Sequence, residues 1–343
     1  MLIILKTLAV GLAGGWLATL LHLPSPWLLG AMLAVLLAIA AGVRVQMPDA
    51  STTLISLFLG VSIASGIDAG IVDHLRDWSA TLILMIAMLG MLVLMLFSFY
   101  RYRCRWSSSD ALLSSVPGNL AVVMLFAAQA GLSIRRIALV HSVRLFFLVT
   151  ALPLAFPITQ PADEALSQAQ PDYLLLLLVF GCATAGGWCA RRLRIPAGML
   201  TGALFTTLAL KFLLGLELHI PQHWFNGVLA VLGTAVAVRM AGLDLPLLRA
   251  TLKGALGGLS LALVTCGCFA LVLHFGFDIP LLQALLAYMP GGIEVMVAIA
   301  FSTDVDPVFV ATHQLVRVLV MCFALPLMFK MVQRPATECR ADS

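Results

Sequence analysis

Apolar residues gather in runs at about 2 to 22, 25 to 43, 52 to 70, 78 to 100 and 136 to 156, and again at about 173 to 190, 197 to 216, 224 to 243, 251 to 275 and 308 to 329. A helix needs about 20 such residues to cross about 30 Å of hydrocarbon, so each run predicts a transmembrane helix. Two further runs, about 111 to 130 and 282 to 303, are broken near their starts by Pro117-Gly118-Asn119 and Pro290-Gly291-Gly292.

The two sets of runs are copies of one another. Ala13-Gly14-Gly15-Trp16 recurs as Ala185-Gly186-Gly187-Trp188 at an offset of 172, with Pro24 on Pro196 and Gly30 on Gly202. After one inserted residue the offset is 173: Gly60 falls on Gly233, Pro117-Gly118 on Pro290-Gly291, Arg144 on Arg317, and Ala151-Leu152-Pro153-Leu154 on Ala324-Leu325-Pro326-Leu327. The reading is a first repeat over 1–157, an acidic connector over 158–172, a second repeat over 173–330 and a tail over 331–343. A cleavable signal peptide would explain residues 1 to 22, but their copy at 173 to 190 is internal, so the first run is expected to belong to the fold.

Charge decides whether the broken runs cross. Lys and Arg collect in short cytoplasmic loops. With Arg144, Arg239 and Arg317 set aside as intramembrane, 17 basic residues remain, and twelve crossings divide them nine to eight. Ten crossings, with each broken run entering and leaving on one side, divide them fifteen to two, leaving Arg76 and Lys211 apart. Both termini are then cytoplasmic. An odd number of crossings per repeat inverts the second repeat relative to the first. Inverted repeats with interrupted helices are the organisation of secondary transporters.

Composition agrees: 62% of the 343 residues are hydrophobic and 10% charged, against about 25% charged in soluble domains. The net charge of +4 is spread over the ends of apolar runs with no basic block, so no nucleic-acid partner is expected. The seven cysteines show no CxxC or His-spaced pattern and read as packing or lipid-facing residues. Asp304 and Asp306 read as a solvated loop. No catalytic motif, cofactor site or metal constellation is present, and an enzyme is not expected.

The candidate chemistry lies at the two breaks. Irregular backbone at membrane depth is tolerated where protein or a watery cavity surrounds it, and a helix N-terminus there offers free N–H groups to an anion. Pro117, Gly118, Asn119, Pro290, Gly291 and Gly292 are therefore candidate binding positions. Arg144 and Arg317 sit mid-span, where a charge is costly without a partner. His141 precedes Arg144 by three residues; His313 and Gln314 precede Arg317 by four and three, on the same helix face. These residues either bind an anion such as a carboxylate or hydrogen-bond unwound hairpin carbonyls. Glu294 has Ala121 as its counterpart, which breaks the symmetry at an ionisable group. It is a counter-ion for Arg317 or a proton-carrying carboxylate.

Ser114-Ser115-Val116-Pro117-Gly118 and Tyr288-Met289-Pro290-Gly291-Gly292 resemble the hairpin motifs Ser-Ser-Pro-Gly-Gly and Ser-Pro-Gly-Gly of the AbrB-type membrane protein family, followed as there by Arg144 and Arg317. The resemblance covers roughly residues 8 to 330. In the first copy Val116 is inserted and Asn119 replaces the second glycine. The resemblance implies a tandem membrane duplication; members are described as regulators of gene expression, and some as ammonia monooxygenases. The layout is also similar to inverted-repeat elevator carriers of citrate, glutamate and bile acids.

The expectation is an all-α polytopic protein of the bacterial inner membrane, with two inverted repeats, each of five transmembrane helices and a re-entrant hairpin. Its expected role is secondary transport of a small anionic solute, coupled to H+ or Na+, with the lipid bilayer as its surroundings and a homodimer as the assembly considered. A membrane regulator working through a partner is the alternative; the fourteen residues after Phe329, too few for a domain, weigh against it, and the missing metal ligands weigh against a third reading, an ammonia monooxygenase-type membrane enzyme.

Overall fold

The computed structural model describes residues 2–23, 25–48, 50–67, 77–117, 123–124, 126–127, 132, 134–156, 172–195, 197–241, 245–303 and 305–333. Among them there are helices and no strands. In chain order these are α1 (Leu2–Leu20), α2 (Pro26–Ala40), α3 (Ala50–Gly66), α4 (Ser79–Ser98, continued by a π-helical turn Phe99–Arg103), α5 (Ser108–Ser115), α6 (Ile134–Ala155), α7 (Tyr173–Arg192), α8 (Gly198–Leu214), α9 (Gln222–Met240), α10 (Leu245–Phe277), α11 (Leu281–Tyr288), α12 (Ile293–Phe301) and α13 (Pro307–Gln333).

Six of these segments, α1, α4, α6, α7, α10 and α13, are long and apolar enough to cross a membrane. By length and composition these are the helices of a membrane protein. The apolar helices α2, α3 and α8 are shorter, at 15, 17 and 17 residues; residues in left-handed conformation flank α2 (Ser25 before it, Gly42 after it) and α8 (Ala197 before it, Gly215 after it). α10 runs longer than its apolar core, over 33 residues, with polar Arg249 and Lys253 in its opening turns.

Two compact units draw equivalent helices from both halves of the sequence. The first comprises residues 1–76, 146–242 and 293–311; the second comprises 77–145, 243–292 and 312–343. This division into compact units does not follow the boundaries expected at 157 and 173.

Glycine contacts show why in the first unit. Lipid tails are as apolar as leucine, so membrane helices gain cohesion from close packing rather than from leaving water. Gly14 of α1 lies against the Gly30 backbone of α2, and at the same offset Gly186 of α7 lies against Gly202 of α8. Gly60 of α3 lies against the Leu200 carbonyl of α8, and its copy Gly233 of α9 against the Leu28 carbonyl of α2. Each half therefore lends its third helix to the second helix of the other half. Leu57, Val61, Val179, Ala183, Met199 and Ala203 fill the core at the α3, α7 and α8 junction. The Lys211 ammonium of α8 donates to the Ser65 and Ile67 carbonyls at 2.7 and 2.6 Å, closing the C-terminal end of α3.

In the second unit α4 packs on α10 through Gly257 and Gly258, which make room for Phe99 and Tyr100. Tyr100 stacks on Trp106 at 4.7 Å and 5°, and the Arg136 guanidinium sits 5.5 Å over the other ring of that pair, Trp106, while reaching Asp110 at 3.5 Å. The foot of α5 is fixed by these contacts and by Ser107, whose hydroxyl accepts from the Asp110 N–H.

Candidate functional site

Two half-length helices, α5 and α11, carry the candidate site, and their bounds coincide at the offset of 173: Ser108–Ser115 on Leu281–Tyr288. Both are stopped by the same chemistry. A residue before proline is driven out of the helical region by the pyrrolidine ring. Val116 (φ −69°, ψ 119°) and Met289 (φ −66°, ψ 141°) are accordingly extended, and Pro117 and Pro290 follow, both buried. Around Pro290 the Gly291 N–H donates to the Met289 carbonyl at 2.8 Å, a three-residue turn. Gly118 and Asn119 lie outside the described residues.

The helices α6 and α13 reach back to the half-helices α5 and α11 in the same way. His141 of α6 contacts the Leu113 carbonyl through Nε2 at 3.1 Å; its copy, Gln314 of α13, donates from Nε2 to the Leu286 carbonyl at 2.6 Å. Leu113 and Leu286 are themselves copies at the same offset. Arg144 donates from its Nη2 to His141 Nδ1 at 3.0 Å. A guanidinium can only donate, so His141 Nδ1 is an acceptor and Nε2 carries the proton given to Leu113. The ring is neutral and its tautomer fixed by two contacts.

The arginines diverge where their neighbours agree. Arg317, 2% exposed, donates from Nη1 to the Met289 carbonyl and from Nη2 to the Gly291 carbonyl, both at 2.7 Å, gripping the chain on both sides of Pro290. Arg144, 7% exposed, spends one N–H on a neutral imidazole, and its Nε is buried without a hydrogen-bond partner among the described residues. Ser114 Oγ and Gln314 Oε1 are likewise buried without a partner among the described residues.

His313, fully buried, sits in a cluster absent from the sequence reading. Thr81 of α4 donates its one hydroxyl proton to the Trp78 carbonyl at 2.8 Å, so it accepts from His313 Nε2 at 2.9 Å. The Tyr288 hydroxyl donates to the Thr81 carbonyl at 2.5 Å, and its ring lies 6.1 Å from the imidazole. Thr81 sits 232 residues from His313, a separation that conceals the pairing in sequence. The Tyr288 position was visible only as part of the hairpin motif.

Glu294 opens α12 in the first unit, where a carboxylate faces the positive end of the helix, and it accepts from the Ser56 hydroxyl at 3.2 Å. Gly292 closes the second unit's segment. Among the described residues no three of His, Cys, Asp and Glu come together as a metal site. Chemically, the described part of the second unit offers buried hydrogen-bond donors and a backbone kinked at proline.

Residues 27–333 match the family described as "Transition state regulatory protein AbrB". A protein of Escherichia coli (strain K12) named "Putative regulator AbrB" is 27% identical over 211 residues, a stretch covering 58% of this chain and 60% of that relative. No solved structure matches. With the family match extending across both Pro-Gly breaks and both buried arginines, the chain belongs to the AbrB family.

Proposed function

We propose that the protein is a secondary carrier of a small anionic solute in the cytoplasmic membrane, built from two inverted repeats and acting by alternating access. Arg144 carries the reading. A guanidinium so buried is costly unless charge and hydrogen bonds compensate it, and the partner it has among the described residues is a neutral ring. A carboxylate or phosphate would take its Nε and remaining N–H groups in two-pronged fashion. The repeated half-helices α5 and α11, each stopped by Pro, support the two re-entrant hairpins, and the fifteen-to-two charge division supports cytoplasmic termini. In this reading Arg317 holds the second hairpin in shape, and Glu294 is the group through which a coupled proton would pass.

The test compares solute binding by purified wild type, Arg144→Lys and Arg144→Gln, using a panel of mono- and dicarboxylates and inorganic phosphate, with melting temperature read in parallel. Lys keeps charge but loses the planar fork, so it should weaken binding by about tenfold, and Gln by about a hundredfold or more. Unchanged affinity in Arg144→Gln, or a preferred ligand that is cationic, overturns the carrier of anions.

The names carried by the family and by the Escherichia coli relative favour a second reading, a membrane regulator acting on gene expression. It is separated from the first by reconstituted vesicles, in which a carrier accumulates solute with no other protein present.

A further inference from the structure

Four residues at the C-terminal end of α7 make a cationic and aromatic cluster that the carrier reading does not use. The Arg192 guanidinium lies 4.4 Å over the Trp188 ring, and Trp188 is 55% exposed. Arg191 reaches from α7 to the opening turn of α3, donating from Nη1 to Thr53 Oγ1 at 3.4 Å. Arg194 follows, and all three arginines are exposed. Leu193 and Ile195, interleaved with them, are 74% and 37% exposed.

Ending a helix is the first thing such arginines do, since cations favour the negative C-terminal end. The duplication supplies an internal control. α1 ends with the same backbone: the His22 N–H donates to the Thr19 carbonyl and the Leu23 N–H to the Ala18 carbonyl, as Arg194 donates to Arg191 and Ile195 to Ala190. His22 and Arg194 share the left-handed conformation, φ 51° and 58°. Trp16 is exposed like its copy Trp188. Yet Thr19, Leu20 and His22 stand where α7 has Arg191, Arg192 and Arg194. The turn forms without the arginines, so helix termination does not account for them.

We propose that Trp188, Arg191, Arg192 and Arg194, together with Thr53, bind the headgroup phosphate of an anionic phospholipid. The arginine forks match phosphate oxygens, and stacking on Trp188 holds one fork at the depth where indole rings settle between headgroups and chains. The exposed Leu193 and Ile195 choose between sources of phosphate. A soluble phosphate ester has nothing to set against them, whereas a lipid places its glycerol and acyl carbons there. The proposal does not depend on transport.

The experiment uses the full chain, purified, with melting temperature and native mass spectrometry read on adding phosphatidylglycerol or phosphatidylcholine. Wild type should be stabilised by, and retain, phosphatidylglycerol alone. The Arg191→Gln/Arg192→Gln/Arg194→Gln variant should need about tenfold or more lipid for the same shift, and the corresponding triple Lys variant should fall between. In wild type, 0.5 M NaCl should strip the bound lipid, a readout that holds even if the triple Gln variant fails to accumulate. Equal stabilisation by phosphatidylcholine overturns the proposal, as does wild-type behaviour in the triple Gln variant, salt-resistant binding, or the full shift produced by glycerol 3-phosphate without chains.

Discussion

His141 and Gln314 occupy one position of the duplication with different side chains and make one bond, from Nε2 to the carbonyl of a leucine in a half-helix. An amide and an Nε2-protonated imidazole present a donor at similar reach, which is why either residue can tie the returning helix to the break. Lys211 shows the opposite case, a bond without a copy: its counterpart is Ile39 on α2, while its ammonium holds the last carbonyls of α3. Hydrogen bonds from a charged donor contribute about 1.5 to 3 kcal/mol each. Lys211→Met should therefore lower stability by at least about 2 kcal/mol, seen as a reduced denaturant midpoint, and Lys211→Arg should recover part of it. A midpoint unchanged in Lys211→Met would make the cap incidental.

At the scale of elements, membrane cohesion depends on how closely backbones approach, so glycines of the same helix family differ sharply in what they tolerate. Gly60 and Gly233 face backbone carbonyls of α8 and α2, whereas Gly90 and Gly181 have nothing within 4 Å of an added Cβ. Gly60→Leu and Gly233→Leu should each cost about 2 kcal/mol or more through forced separation of helices, with loss of monodisperse protein in size-exclusion chromatography. Gly90→Leu and Gly181→Leu should purify like wild type. If all four behave alike, the paired glycine contacts do not govern packing. The helix ends before Pro117 and Pro290 and the buried arginines were legible in the sequence because proline, glycine and charge restrict backbone and solvation sharply. Which helix rests on which was not, since in hydrocarbon a face turned to lipid and a face turned to protein are equally apolar. The same limit hid Thr81 as the partner of His313.

For the whole molecule, the orientation proposed from the charge division places both termini on the cytoplasmic side. In a background without the seven native cysteines, a membrane-impermeant thiol reagent added outside should label Ser167→Cys in the connector and spare Ala336→Cys in the tail. Labelling of Ala336→Cys from outside would reverse the charge-based orientation. The exchange of third helices has a consequence for biosynthesis. When the ribosome has delivered only the first 157 residues, α3 has no α8 to meet Gly60 and α2 has no α9 to meet its Leu28 carbonyl. A nascent first half must wait in the bilayer with two unfilled grooves, open to quality-control proteases, until the rest of the chain arrives. Assembly is thus posted to the end of translation, and two half-chains made separately from a gene divided in the connector would rescue each other where neither persists by itself.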